Sequence, residues 1–256
     1  MRRGLVPSRE RARRAIAAGQ VTVAGAPADK ASRLVHPADA VLLAGDAPRF
    51  VSRGGLKLNA ALDHFVIDVG DKRALDAGAS TGGFTDCLLQ RGAAHVIAVD
   101  VGYGQLHERL RADDRVSVLE RTNVRYLSVA DLGGDQVAVV TADLSFISLR
   151  TVLRTLLALA APGADLVALV KPQFEAGRAE ASRGRGVVRD PAVWRRVLFE
   201  VTAALEAEDA VMMGIMVSPL RGADGNVEFL AHARAHERNP AVVDLDAIVR
   251  QARGET

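Results

Sequence analysis

Four charged residues stand where strands and helices are expected to stop or start, and their types suit proton transfer. Asp143 follows the apolar run Val137–Ala142, and Lys171 follows Asp165–Val170. Ligands of open α/β sheets collect outside the carboxyl ends of the strands, so both side chains are expected to face one crevice. An amine there can act as a base if burial or nearby cations favour its neutral form, and a carboxylate can orient it. Lys57 lies near the start of an expected helix, where a cation is unfavourable by about 0.3–1 kcal/mol, so local structure gives no reason for it. Glu228 follows Gly225-Asn226-Val227 and opens another apolar stretch. The chain holds only four lysines, Lys30, Lys57, Lys72 and Lys171, against twenty-nine arginines. A position that keeps lysine can use the proton that guanidinium never releases, a hint that applies equally to all four.

A second group has the character of a ligand cradle. Asp76-Ala77-Gly78-Ala79-Ser80-Thr81-Gly82-Gly83-Phe84 joins an expected strand to an expected helix. Its glycines let backbone approach a ligand closely, and the helix N-terminus beyond them favours a carboxylate. Asp100 ends the next strand, twenty-two residues after Gly78, where a carboxylate can accept hydrogen bonds from a ribose diol. The dinucleotide fingerprint G-x-G-x-x-G fails at Ser80, which disfavours a nicotinamide dehydrogenase. The run is similar instead to the first motif of S-adenosylmethionine-dependent methyltransferases.

The elements that must hold these groups follow from the apolar pattern. Short apolar runs at 73–77, 95–100, 116–119, 137–142, 165–170 and 211–217 alternate with helical patterns near 84–91, 104–111, 147–160 and 190–207. Leu58, Ala61, Leu62 and Phe65 repeat at i, i+3, i+4, i+7 and mark a further amphipathic helix. Such alternation predicts an α/β fold with a doubly wound, Rossmann-like sheet buried on both faces. Ahead of it, Ser8–Ala18 reads as a short helix capped by Ser8 and ended by Gly19, followed by strands at 20–24 and 39–44. This predicts a small N-terminal α+β domain at 1–46, a linker at 47–52 and a catalytic domain at 53–256. Gly177–Val188, glycine-rich and basic, reads as a mobile loop.

Composition narrows the class. Of 256 residues, 49% are apolar and 25% charged, which supplies a full core and excludes wholesale disorder. No run approaches the roughly 18 apolar residues needed to span a bilayer, so a soluble cytoplasmic protein without a membrane partner is expected. The single cysteine, Cys87, excludes a disulfide scaffold and a multi-cysteine zinc site, and reads as a buried helix residue. Residues 1–57 hold eleven Lys/Arg against four Asp/Glu, while the remainder is mildly acidic. A basic head of this kind suits a polyanionic partner.

The segments Val51–Leu58, Asp76–Cys87, Glu120–Arg125, Asp143–Ser148, Leu169–Glu175 and Gly225–Glu228, in that order, resemble the TlyA family of rRNA 2′-O-methyltransferases, often labelled hemolysin A. Its catalytic domain is FtsJ-like. The resemblance implies S-adenosylmethionine as cofactor, ribosomal RNA or ribosomal subunits as partner, and cytidines of 16S or 23S rRNA as targets. The family's Lys-Asp-Lys-Glu tetrad falls on Lys57, Asp143, Lys171 and Glu228. The cofactor contacts fall on Asp76, Gly78, Ser80, Thr81, Gly82, Gly83, Phe84, Asp100, Asn123 and Asp143. Residues 1–46 look like the S4-like RNA-binding domain of the family. They depart from it by starting late, since Arg2–Val6 resembles the end of that module's first helix, which bears on RNA affinity.

On this reading Lys171 is the general base, oriented by Asp143, and Lys57 and Glu228 hold the target ribose, with no metal required. Arg9, Arg11, Arg13, Arg14, Arg49, Arg53, Arg183 and Arg185 are the candidate phosphate contacts. Aromatic residues make up only 4% of the chain, which argues against a stacking platform for a flipped base, although a single Phe could pack one. The competing functions are a non-catalytic ribosome-assembly factor, which the complete tetrad disfavours, and membrane lysis, which lacks an inserting segment.

Overall fold

The computed structural model describes residues 4–17, 19–28, 30–36, 39–43, 49–177, 180, 186–222, 224–237 and 241–255. The chain divides into Met1–Arg49 and Phe50–Thr256.

In the smaller unit, helix α1 (Arg9–Ala17) precedes strands β1 (Val21–Val23), β2 (Ala26–Pro27) and β3 (Val41–Leu43). Ser8 Oγ accepts the Arg11 N–H at 3.1 Å, as its place before the helix predicts. The strands form an antiparallel sheet in the order β2-β1-β3. Ala15, Val23 and Ala28 are its buried apolar residues, a small core for so short a segment.

The larger unit is built on seven strands in the order β6-β5-β4-β7-β8-β10-β9. They are β4 (Arg73–Ala77), β5 (His95–Val99), β6 (Val116–Leu119), β7 (Val137–Ala142), β8 (Ala160–Val170), β9 (Ala210–Val217) and β10 (Phe229–Ala235). The first five are mutually parallel, and β10 runs antiparallel between β8 and β9. Strand β10, anticipated only as an apolar stretch, joins the edge strand β9 to the rest of the sheet.

Alternate strand residues enter opposite layers, the period-two rule of a sheet covered on both faces. Ala74, Val96, Val139 and Leu169 pack with Leu58 and Leu62 of helix α2 (Arg53–His64) and Leu88 of helix α3 (Gly83–Gln90). Leu75, Ile97, Val140 and Leu166 pack on the other side with residues of α5 (Leu153–Leu159), α7 (Pro191–Ala207) and α8 (Leu245–Arg253). Between these lie the short helices α4 (Glu108–Arg111) and α6 (Pro172–Glu175). Helix α4 is shorter than the pattern at 104–111 suggests, because Gly102 and Gly104 precede it and His107 caps it. Cys87 is fully buried on α3. Phe50, which falls in the expected linker, is buried in the larger unit, where the neighbouring Val51 N–H donates to Asp86 Oδ2 at 2.8 Å.

From β4 the chain returns through β5 and β6 on one side, whereas β7 and β8 extend the sheet on the other. The space above the carboxyl ends of β4 and β7 is therefore the topological switch point, where such sheets bind ligands.

Candidate active site

Gly78 and Asp143 meet at that switch point. The Asp143 N–H donates to Ala77 O at 3.0 Å, and Gly78 has φ +87°. A Cβ on residue 78 would come within 2.6 Å of the Asp143 carbonyl oxygen. Only glycine therefore allows the two loops to approach so closely. Beside them opens a cavity of 560 Å³, the size of a small-molecule site.

Two ion pairs line this cavity. Lys171 Nζ lies 2.6 Å from Asp143 Oδ1 and donates to Ser145 Oγ at 3.1 Å. Lys57 Nζ donates to Glu228 Oε2 at 2.5 Å. All four tetrad positions thus face one space, although they come from α2 and from the ends of β7, β8 and the approach to β10. Lys57, Lys171 and Glu228 are each less than a tenth exposed. Buried charges of this kind persist only when paired and hydrogen-bonded. The pairing differs from the expected one in a single respect: Lys57 and Glu228 hold each other. That explains a helix-start lysine that local structure left without a reason.

The loop after β4 supplies a second wall. Gly78, Ser80, Thr81, Gly83 and Phe84 line the cavity. Asp100 stands at the end of β5, where its Oδ2 accepts the Ser80 N–H at 2.8 Å and its Oδ1 the Gly102 N–H at 2.7 Å. Each carboxylate oxygen keeps a further acceptor site, so the residue can still receive a diol. With the close approach at Gly78 and the N-terminus of α3 beyond, these donors and acceptors fit a nucleoside cofactor carrying a carboxylate.

Three of the expected cofactor contacts also have structural partners. Asp76 is fully buried beneath the loop, its carboxyl bonded by Thr85 Oγ1 at 2.6 Å and Thr141 Oγ1 at 3.3 Å. Burial, assisted by the negative charge of Asp143, pushes its pKa from 3.8 up to about 7 against the pull of those hydroxyls. Asp76 thus braces the loop from below. Gly82, at φ +93°, lets Leu106 and Leu110 pack against the loop, since a Cβ there would lie 2.3 Å from Leu110. The Asn123 side chain accepts the Arg125 N–H at 3.1 Å and caps the turn Val124–Tyr126.

The comparisons agree with this architecture. The FtsJ-like methyltransferase family matches residues 50–235 and the S4 domain matches residues 2–41. The 16S/23S rRNA (cytidine-2′-O)-methyltransferase TlyA of Mycobacterium tuberculosis is 48% identical over 257 aligned residues, covering 100% of this chain and 95% of the relative. The chain belongs to the TlyA family of FtsJ-like methyltransferases. A solved structure from Streptococcus thermophilus that carries the hemolysin name superposes with a TM-score of 0.79 at 41% identity, covering 99% of this chain and 93% of that one. An S-adenosylmethionine-dependent methyltransferase from Listeria monocytogenes shares the fold, with a TM-score of 0.53 at 16% identity over 72% of this chain and 99% of its own.

Within this TlyA-family methyltransferase the candidate phosphate contacts separate into groups. Arg9, Arg11, Arg13 and Arg14 are exposed on or beside the polar face of α1, with Arg14 paired to Glu10. Arg49 is exposed in the smaller unit, and Arg53 reaches the cavity wall while donating to Arg221 O at 2.9 Å. Arg183 and Arg185 lie outside the described residues. Among the described residues no helix is long and apolar enough to cross a membrane.

Ser145, Phe146 and Phe174 line the cavity but escaped the sequence reading. Ser145 is the second partner of the Lys171 amine. Phe146 is 92% exposed at the cavity wall, with φ +65°, and its ring centroid lies 5.3 Å from that of Phe174. A bulky residue in the left-handed region stores strain that clusters at functional sites. Low aromatic content concealed this pair of rings because content says nothing about placement. The only available signal was the position of both phenylalanines just past strand ends, in Asp143-Leu144-Ser145-Phe146 and Lys171-Pro172-Gln173-Phe174.

Proposed function

We propose that this enzyme methylates the 2′-hydroxyl of cytidine riboses in ribosomal RNA, drawing the methyl group from S-adenosylmethionine. The observation that carries the reading is the Lys171–Asp143 pair, held at 2.6 Å beside the glycine loop at the switch point. S-adenosylmethionine, when bound, supplies an electrophilic sulfonium methyl. The Gly78–Phe84 loop and Asp100 would hold it, the backbone N–H groups at the start of α3 facing its carboxylate and Asp100 its ribose diol.

The chain's own residues then handle the proton. Lys171 Nζ, once it has passed its own proton to solvent, receives the proton of the ribose 2′-hydroxyl and leaves that oxygen free to attack the methyl carbon. Asp143 and Ser145 fix the direction of the amine, and the later loss of its proton to solvent resets it. Lys57 and Glu228 hold the opposite wall for the ribose. Phe146, backed by Phe174, offers a ring face to the target base, a mode common where nucleotides are drawn out of a stack. The arginines of α1 and Arg53 contact phosphates, which set position while folded RNA shape supplies selectivity. An enzyme that acts on ribosomal subunits would work in the cytoplasm.

The test is transfer of labelled methyl from S-adenosylmethionine to unmethylated 30S and 50S subunits, with Lys171→Ala alongside. Label in rRNA with the wild type alone is the expected result, and the labelled subunit identifies the substrate. Absence of label in both, with cofactor still bound, would favour the assembly-factor reading.

A further inference from the structure

The two strand-end segments that carry the catalytic groups are cross-linked at three levels. Nearest the strands, Lys171 bonds Asp143 and Ser145. Further out, the rings of Phe146 and Phe174 meet. At the far end the carboxylate of Glu175, 4% exposed, accepts Ser148 Oγ–H at 2.5 Å, Leu149 N–H at 2.6 Å and Arg150 Nε–H at 3.2 Å. Arg150 also donates to the Glu175 carbonyl at 3.0 Å and pairs with Glu200 of α7 at 2.9 Å. Glu175 ends α6, one turn beyond Lys171, and Ser148 lies five residues beyond Asp143.

A buried carboxylate with three donors is a rigid junction, because each charge-assisted hydrogen bond is strong and leaving one unmade is costly. The Glu175 carboxylate touches neither the cavity nor any group assigned to substrate or cofactor. What it fixes is the separation between the segment bearing Asp143, Ser145 and Phe146 and the segment bearing Lys171. Between the Lys171 rung and the Glu175 rung lies Phe146 in its left-handed conformation. A strained residue holds such a conformation only when both flanks are restrained.

We infer that Glu175 is a positioning residue for methyl transfer: by gripping Ser148 and Leu149 it sets the Lys171 amine against Asp143 and holds Phe146 at the cavity wall. The inference rests on the reading of Lys171 as the proton acceptor. Misplacement of a reacting group by about 1 Å costs on the order of 100-fold in rate, so a loosened junction should lower turnover and leave cofactor affinity intact, since the glycine loop and Asp100 belong to other segments.

The experiment uses full-length Glu175→Gln and Ser148→Ala proteins. The second removes one donor and leaves no buried charge unpaired, so it keeps the test open if Glu175→Gln fails to fold. Single-turnover methyl transfer at saturating subunits and S-adenosylmethionine is measured, with S-adenosylhomocysteine affinity and thermal melting beside it. The expected result is a rate fall of about 10- to 100-fold for Glu175→Gln and a smaller fall for Ser148→Ala, with cofactor affinity within about twofold of wild type. A folded variant with unchanged rate overturns the inference, and so does a rate loss that merely follows lost cofactor binding. A Lys171→Ala protein with wild-type turnover overturns the base assignment and this inference together. An inactive Lys171→Ala beside fully active Glu175→Gln and Ser148→Ala overturns the positioning role alone.

Discussion

Lys57 and Glu228, 171 residues apart in the chain, form a buried ion pair at 2.5 Å across the wall of the catalytic cavity. Neither residue has a reason to be buried without the other. The helix that carries Lys57 enters the core by Leu58, Ala61 and Leu62, and the approach to β10 brings Glu228 beneath it.

Removing one partner leaves a desolvated charge unpaired. Lys57→Ala should lower unfolding stability by about 3–5 kcal/mol, read by urea denaturation. The double variant Lys57→Met with Glu228→Gln should recover a good part of that loss. A double variant destabilised by the sum of the two single losses would show that the pair is not coupled.

The amine of Lys171 must be able to shed its proton. Lys171→Arg keeps the positive charge beside Asp143 and removes that ability. Methyl transfer should fall by about 100- to 10,000-fold while S-adenosylhomocysteine affinity stays close to wild type by calorimetry. An arginine variant that retains turnover would remove proton acceptance from the role of this residue.

Asp76 links stability to pH. Its carboxyl is protonated in the folded state up to about pH 7 and ionised in the unfolded chain above 3.8. Between those values the folded state binds more protons, so this group's contribution falls as pH rises from about 4 to 7, by up to about 4 kcal/mol. Asp76→Asn, isosteric and uncharged, should therefore stabilise the protein more at pH 8 than at pH 5, by about 2–3 kcal/mol in urea denaturation. A gain independent of pH would show that Asp76 stays ionised in the fold.

Phe146 trades stability for placement. Phe146→Gly removes the left-handed strain of an exposed ring and should raise stability by about 1 kcal/mol. Methylation of subunits should fall at the same time, since the ring face offered to the base is gone. A loss of stability in thermal melts, with methylation unchanged, would contradict both halves of that expectation.

Much of this was legible from neighbouring residues. The apolar runs at 73–77, 95–100, 116–119 and 137–142 became β4, β5, β6 and β7 almost residue for residue, because a strand buried on both faces is mostly apolar. The glycine at 78 and the charges at strand ends stood out because turns and strand ends constrain residue type locally. Other features depended on residues distant in the chain. The seven-strand order set Glu228 beside Lys57 and placed Glu175 against Ser148. Burial made Asp76 a brace, since the packed loop, Thr85 of α3 and Thr141 of β7 come together over it only in the fold. The backbone at Phe146 adopts a conformation that its residue type resists. Local pattern determines which segments are strands, helices and turns, because backbone sterics and apolar periodicity act within a few residues. Tertiary packing decides which charges meet and which are desolvated, because those energies arise between groups that only the fold brings together.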